Sequence, residues 1–201
     1  MLFTACENYS DEEMGESKQE NYSLDYLNYY KLEYFEEINI DSIKTFSILS
    51  ERLKKNRCNN KISGLKFTYK KSKYFLIGSA ECPSQGIGCY MNVNSISIKN
   101  DSIIIDYKNK EHISSLGSYL KNITDNPYNY KFKKVDLKPA IIRFEVDDKY
   151  SIEKTKEVLK EIILEFKKYN TSDNPDHFKY FILFDGLIPV PPPPPPPPMA
   201  N

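Results

Sequence analysis

The stretch AIIRFEVDDKYSIEKTKEVLKEIILEFKKY, residues 140–169, decides the fold. Its first seven residues are dense in β-branched and other apolar side chains, which predicts a strand over 140–146. Ser151 is placed to cap a helix over 152–169, whose apolar residues recur at helical spacing: Ile152, Val158, Leu159, Ile162, Ile163, Phe166 and Tyr169. A second apolar run, FKYFILF at 178–184, predicts a buried strand. Together these patterns predict a strand–helix–strand unit.

The residues before this unit predict a hairpin and a second helix. In NVNSISIKNDSIIIDYKN, at 92–109, isoleucines alternate with polar residues on both sides of a turn at Asn100 and Asp101. A helical face follows at Ile113, Leu116, Leu120 and Ile123, and the sequence DNP at 125–127 ends it because proline lacks an amide donor. The predicted order over 93–185 is therefore β-β-α-β-α-β.

The region 24–92 predicts further strands and one helix. The tyrosine-rich residues from 24 onward fit either a strand or a helix, and partial alternation favours a strand over 32–40. Asp41 is the expected N-cap of a helix whose apolar face is Ile43, Phe46, Leu49 and Leu53. The runs GLKFTY and KYFLIGS, at 64–69 and 73–79, predict a hairpin.

Four parts follow from these patterns: a polar, flexible tether at 1–23, a β/α part at 24–92, an α+β domain at 93–186 and a tail at 187–201. The expected fold class is α+β, with a mixed sheet and helices on one face. The tail contains eight consecutive prolines, which favour polyproline II over about 25 Å and serve as a spacer or as a ligand for an aromatic groove. These candidate partner-binding residues are Pro191, Pro192, Pro193, Pro194, Pro195, Pro196, Pro197 and Pro198.

Charge and composition exclude several classes of function. Basic and acidic residues number 28 each, whereas a nucleic-acid-binding protein needs a surplus of lysine and arginine. The spacing of cysteine and histidine matches no zinc site, and we expect neither a metal nor a cofactor.

The cysteines predict a disulfide if the compartment is oxidising. Cys82 and Cys89 bracket the short loop PSQGIG and form the local candidate pair, while Cys58 with either of them is the competing pairing. The alternative is a cytosolic protein whose four cysteines, including Cys6, are free thiols.

Few residues suggest catalysis. Asp147 and Asp148 follow a predicted strand, where adjacent carboxylates are more often solvated turn residues than a catalytic pair. His112 and His177 are the two histidines, and no G-x-S-x-G motif is present. An aromatic cluster is expected to cover the sheet rather than to bind a ligand: Tyr26, Tyr29, Tyr30, Tyr34 and Phe35.

The sequence FTAC at 3–6 resembles the lipobox of bacterial lipoproteins, in which the cysteine carries diacylglycerol and becomes the mature amino terminus. The resemblance implies lipid attachment at Cys6, with the polar residues after it holding the domain off the membrane. A positively charged start and a long apolar run are missing before Cys6, so either the true start lies upstream of Met1 or the match to the lipobox is accidental.

Residues 93–185 resemble the periplasmic domain of the ExbD/TolR proteins, which serve proton-driven motors of the cell envelope. The hairpin SISIKNDSIIID, the segment IIRFEVDDKYS with its helix, and the strand KYFILFD carry the resemblance. Asp147 and Asp148 occupy the place of the acidic residue that the family puts between strand and helix. The family's transmembrane helix has no counterpart in these residues, so the resemblance implies an interaction domain without proton-coupled work.

We therefore expect a non-enzymatic, lipid-anchored protein of the bacterial cell envelope that faces the periplasm. We expect its partner to be a protein of the envelope, in an ExbD/TonB-type system, and its membrane contact to be the lipid on Cys6. One alternative is a small hydrolase that uses Asp147 and Asp148 or His177. Another is a cytosolic adaptor that docks through its proline tail.

Overall fold

The computed structural model describes residues 19–83, 94–106, 108–126, 137, 139–170 and 177–184. These residues form nine strands and four α-helices. In chain order they are β1 (Glu20–Tyr22), α1 (Leu24–Tyr29), β2 (Phe35–Asn39), α2 (Phe46–Cys58), β3 (Ile62–Tyr69), β4 (Ser72–Ser79), β5 (Ser95–Lys99), β6 (Ser102–Ile104), β7 (Lys110–His112), α3 (Leu116–Asp125), β8 (Ala140–Glu145), α4 (Ile152–Tyr169) and β9 (Tyr180–Leu183).

All nine strands belong to one mixed sheet, which confirms the predicted α+β class. The strand order is β2-β3-β4-β9-β8-β5-β6-β7, and β1 pairs with the first half of β4. The central pairs β4–β9, β9–β8 and β8–β5 are parallel, while the hairpins β3–β4 and β5–β6 are antiparallel. The short strand β7, which the sequence did not predict, extends the second hairpin.

The unit β8–α4–β9 forms as its periodicity predicts. Ile142 and Phe144 alternate along β8 and are fully buried. Both belong to the same buried core as the apolar face of α4, and the ring of Phe166 in that helix stacks on Tyr180 of β9 at 4.1 Å between centroids. Ser151 occupies the N-cap position of α4, although its side chain makes no capping hydrogen bond.

The predicted parts 24–92 and 93–186 share this sheet. Gly78 of β4 pairs with Ile182 of β9, so the two parts meet in its middle. The ring of Phe46 in α2 lies 5.6 Å from the ring of Phe144 and 6.0 Å from that of Phe184. One core of buried side chains therefore spans both parts.

The two faces of the sheet are covered differently. Helices α2 and α4 pack on one face, and α3 packs alongside α4. The short helix α1 crosses the opposite face, where Tyr26 lies over Phe35 and Phe75 at 5.4 and 5.3 Å between ring centroids. None of the helices in the described residues combines the length and the apolarity that a membrane span requires.

Two local predictions are corrected, and one open choice is resolved. Ordered structure begins inside the predicted tether, because Glu20–Tyr22 pairs with β4. Of the strand and the helix that the tyrosine-rich residues allowed, the structure has a helix at Leu24–Tyr29. Thr45 rather than Asp41 caps α2, with its Oγ1 accepting a hydrogen bond from the amide of Ile48 at 3.4 Å. Asp41 instead bridges two elements, since its carboxylate accepts from the amide of Thr68 at 3.1 Å and pairs with Lys156 at 2.8 Å.

Candidate binding cleft

A cleft of about 440 Å³ opens on the face of the sheet that α1 crosses. Its floor includes Ile77 and Ser79 of β4 with Phe181 and Leu183 of β9. These side chains alternate with the residues buried under α2 and α4, so they point to the other face. The cleft therefore lies at the carboxyl ends of two parallel strands, a common position for ligand sites in sheets of this kind.

Helix α1 forms one wall of the cleft through Asp25 and Tyr29. Ser23 fixes the start of this helix: its Oγ accepts from the amide of Tyr26 at 3.3 Å, and its amide donates to the carbonyl of Phe75 at 2.7 Å. Tyr26 is 5% exposed, and its hydroxyl donates to Glu37 at 2.7 Å. Burial, together with this hydrogen bond, raises the pKa of Tyr26.

The end of α2 and the residues after β4 form the opposite wall. Arg57, Lys61 and Cys82 line it. Lys61 pairs with Glu36 at 2.6 Å, and Asn56 donates to the hydroxyl of Ser63 at 3.0 Å. The cleft thus offers charged groups of both signs beside apolar and aromatic surface.

A disulfide joins the two segments of this wall. Cys58 is the last residue of α2, and its sulfur is bonded to that of Cys82, with the Cα atoms 5.2 Å apart. This is one of the competing pairings, and it replaces the predicted pairing of Cys82 with Cys89. The physical reason is tertiary: α2 packs along β3 and β4, which brings its end to the segment that follows β4. Cys89 lies outside the described residues.

Exposed aromatic and aliphatic side chains surround α1 next to the cleft. We call them the tyrosine surface: Tyr22, Leu27, Tyr29, Tyr30 and Tyr34, which are 36%, 48%, 36%, 43% and 49% exposed. Tyr29 belongs both to this surface and to the cleft wall. The predicted aromatic cluster is therefore divided, since Tyr26 and Phe35 cover the sheet while its other three members face outward.

Buried Tyr26 orders the middle of the tyrosine surface. Its ring lies 6.0 Å from that of Tyr22 and 6.2 Å from that of Tyr30. Tyr22 also stacks on Phe75 at 4.3 Å, and its hydroxyl donates to Glu20 at 2.6 Å. Sequence reasoning missed Tyr22 because it placed this residue in the tether, although the recurrence of tyrosine at 22, 26 and 30 was a usable signal.

The predicted carboxylates have structural roles. Asp147 accepts a hydrogen bond from the side chain of Asn100 at 3.1 Å and pairs with Lys99 at 3.2 Å. These two contacts, in that order, lower the pKa of Asp147. Asp148 accepts from the amide of Ser47 at 3.1 Å, in the first turn of α2.

The two predicted histidines lie away from these carboxylates. His177 precedes β9, whereas Asp147 follows β8. Because these neighbouring strands are parallel, the two residues lie at opposite ends of the strands. The Nδ1 of His112 accepts from the amide of Ser114 at 3.2 Å and so fixes the turn before α3.

The other predicted site residues, Cys6 and the prolines at 191–198, lie outside the described residues. The chain matches no family model, no curated protein and no solved structure.

Proposed function

We propose that the chain is a non-enzymatic interaction module of the cell envelope. It is anchored by lipid at Cys6, faces the periplasm and binds a protein partner, which we place in an ExbD/TonB-type system by the resemblance of residues 93–185. The observation that carries the binding role is the tyrosine surface beside the cleft.

The composition of this surface supports a role in binding. Tyrosine is enriched where proteins bind one another, because its ring buries a large apolar area with little loss of side-chain entropy. Tyr30 and Tyr34 are 43% and 49% exposed. Leu27, which lies between β1 and Tyr30 along the chain, is 48% exposed. A cluster of large exposed side chains next to a concave site is typical of a recognition surface.

The Cys58–Cys82 disulfide supports an oxidising compartment. Disulfides persist in secreted and periplasmic proteins and are rare in the cytosol, where thioredoxin and glutathione keep thiols reduced. Cys58 lies on the exposed side of α2, so a cytosolic reductant would reach it. The pairing therefore favours export over the cytosolic adaptor.

The contacts of Asp147 and Asp148 favour a binding role over hydrolysis. A general acid needs a pKa near the working pH, whereas the pKa of Asp147 is lowered by Asn100 and Lys99. Asp148 is engaged with the start of α2. We therefore assign no reaction to these carboxylates.

The compartment is tested on the protein isolated from its own cells. Alkylation of free thiols before and after reduction, read by mass spectrometry, should show Cys58 and Cys82 oxidised and Cys6 bearing diacylglycerol. A protein recovered from the cytoplasm with all four thiols reduced would contradict the envelope assignment.

The binding role is tested by capture of envelope proteins on the double variant Tyr30→Ala/Tyr34→Ala. The matched control is Tyr150→Ala, because Tyr150 is 38% exposed and does not line the cleft. We expect the double variant to capture at least about 90% less of a partner that the control retains, because each of the two tyrosines would contribute about 1 kcal/mol or more of binding free energy. Equal capture by both variants would refute the assigned surface.

A further inference from the structure

We propose that the proline run at 191–198 is the resident ligand of the tyrosine surface and binds it in cis across α1. The inference rests on the proposed function in one respect, since it takes the tyrosine surface to be a binding surface. It adds the identity of an occupant, which is a named segment of the same chain.

The chain leaves the described structure next to this surface. Leu183, the last residue of β9, lines the cleft together with Tyr29, the last residue of α1. Pro191 follows Leu183 by eight residues. An extended segment of that length reaches up to about 26 Å, whereas a six-residue helix is about 9 Å long. The proline run is therefore within reach of every tyrosine around α1.

The chemistry of the two partners is complementary. Proline-rich segments bind to surfaces lined with aromatic rings, and because polyproline II is already extended they lose little entropy on binding. The rings of Tyr22 and Tyr30 flank buried Tyr26 at 6.0 and 6.2 Å. These centroid distances place the two exposed rings no more than about 12 Å apart, and the eight prolines span about 25 Å in polyproline II, so the run is long enough to contact both rings.

The surface is also prepared for such a ligand. The hydroxyls of Tyr22 and Tyr26 donate to Glu20 and Glu37, which holds both rings in place before binding. The ammonium group of Lys31 lies 5.2 Å above the ring of Tyr30. Lys31 is exposed and lysine side chains are flexible, so a proline ring can displace the ammonium group from the face of Tyr30 at a small cost in free energy.

Attachment in cis makes a weak contact sufficient. A short linker gives an effective concentration in the millimolar range. If the isolated run bound with a Kd of about 1 mM, the tethered run would occupy the surface about half of the time or more. A protein partner that binds the tyrosine surface would then have to displace the tail.

The test compares the full chain with a full-length variant in which all eight prolines, 191–198, are replaced by serine. Both proteins are treated with tetranitromethane, and nitration at each tyrosine is followed by peptide mass spectrometry. We expect Tyr22 and Tyr30 to react about two-fold faster or more in the serine variant. Tyr150, which is 38% exposed and outside the cleft, is the internal control and should react equally in both.

Two further measurements decide the outcome. The protection of Tyr30 should be the same at 1 µM and 100 µM protein. A synthetic octaproline peptide added to the serine variant should restore the protection of Tyr22 with a millimolar Kd, which Tyr30→Ala weakens and Tyr150→Ala does not. Equal nitration of Tyr22 and Tyr30 in both proteins would overturn the proposal. Protection that vanishes on dilution would also overturn it, because the occupant would then be a second copy.

These results do not depend on the state of Cys6 or on partner capture. Loss of tail binding with intact capture by the tyrosine surface would reject this inference alone. Loss of capture with intact protection of Tyr30 would reject the proposed function alone.

Discussion

Replacing Asp41 by asparagine should destabilise the domain more than replacing Glu153 by glutamine, although both carboxylates contact the same lysine of α4. Lys156 lies in that helix with a side chain only 8% exposed, and its ammonium contacts Asp41 at 2.8 Å and Glu153 at 2.6 Å. Burial opposes the charge of Lys156, but hydrogen bonds to Asp41 and then Glu153 outweigh it and raise the pKa of Lys156. Removing the carboxylate of Asp41 therefore leaves a buried cation with one solvent-exposed partner.

The magnitude follows from burial. Breaking a buried ion pair costs about 3–5 kcal/mol, and because Asp41 is 35% exposed and Glu153 remains, we expect a loss of about 2 kcal/mol. Glu153→Gln is the matched control, since Glu153 is 60% exposed and the same pair type at the surface contributes about 0.5 kcal/mol. Lys156→Met should cost less than Asp41→Asn, because it removes the buried charge itself while Asp41 keeps the amide of Thr68.

The assay is urea unfolding followed by circular dichroism at pH 7. With a slope of about 2 kcal/mol per molar, Asp41→Asn should lower the midpoint by about 1 M and Glu153→Gln by about 0.2 M. Equal shifts for the two variants would refute the argument from burial.

Three further predictions concern the disulfide, acid stability and packing. Reduction, or Cys58→Ser with Cys82→Ser, should cost about 3.5 kcal/mol by the chain-entropy relation for a closed loop with a sequence separation of 24, and should lower the thermal midpoint. An unchanged midpoint would show that the bond does not constrain the unfolded chain. Burial opposes ionisation of Asp41 and Asp101, but hydrogen bonds from Lys156 and Lys154 outweigh it and lower the pKa of both carboxyl groups. The stability that the two carboxylates contribute is therefore present above about pH 4 and is lost as the pH falls through the lowered pKa values. Urea midpoints measured from about pH 6 to about pH 2 should decrease below about pH 4, and constant midpoints over that range would contradict this. Gly78→Ala should cost about 1–3 kcal/mol, because the added Cβ would lie 2.7 Å from both Leu65 and Phe184 in the core. The control is Gly117→Ala, whose Cβ meets only the flexible end of Glu165 and which gains helix propensity. Similar urea midpoints for the two variants would be inconsistent with a tightly packed core between β3, β4 and β9.

The elements that the sequence predicts well are those whose signal lies in adjacent residues. The helix α4 repeats apolar residues about every 3.6 positions and the strand β8 every second position, and burial follows both repeats in the structure. The strand β9 was predicted from a continuous apolar run instead, and its Phe181 is 38% exposed. The strand β1 has no such signal. Its three residues join the sheet because Asn21 pairs with Tyr74, which is far away along the chain.

The cleft was not predictable for the same reason. Its walls come from α1, the end of α2, the residues after β4 and the strand β9. The spacing of Cys82 and Cys89 favoured a short local disulfide, but packing of α2 on the sheet brings Cys58 to Cys82 instead. Asp41 was assigned from residue type to a local cap, while its partners Thr68 and Lys156 belong to distant elements. Long-range contacts of this kind leave no periodic mark on the sequence.

Helix α1 links the stability of the domain to its proposed binding role. A helix of six residues is not stable alone in water, because nucleation costs more than so few hydrogen bonds return. Its position depends on Tyr26, which is buried between Phe35 and Phe75 and bonded to Glu37. Loss of these contacts would release Tyr29 and Tyr30 from their positions at the end of α1, although both are exposed. The arrangement of the exposed tyrosines of α1 is therefore set by buried Tyr26.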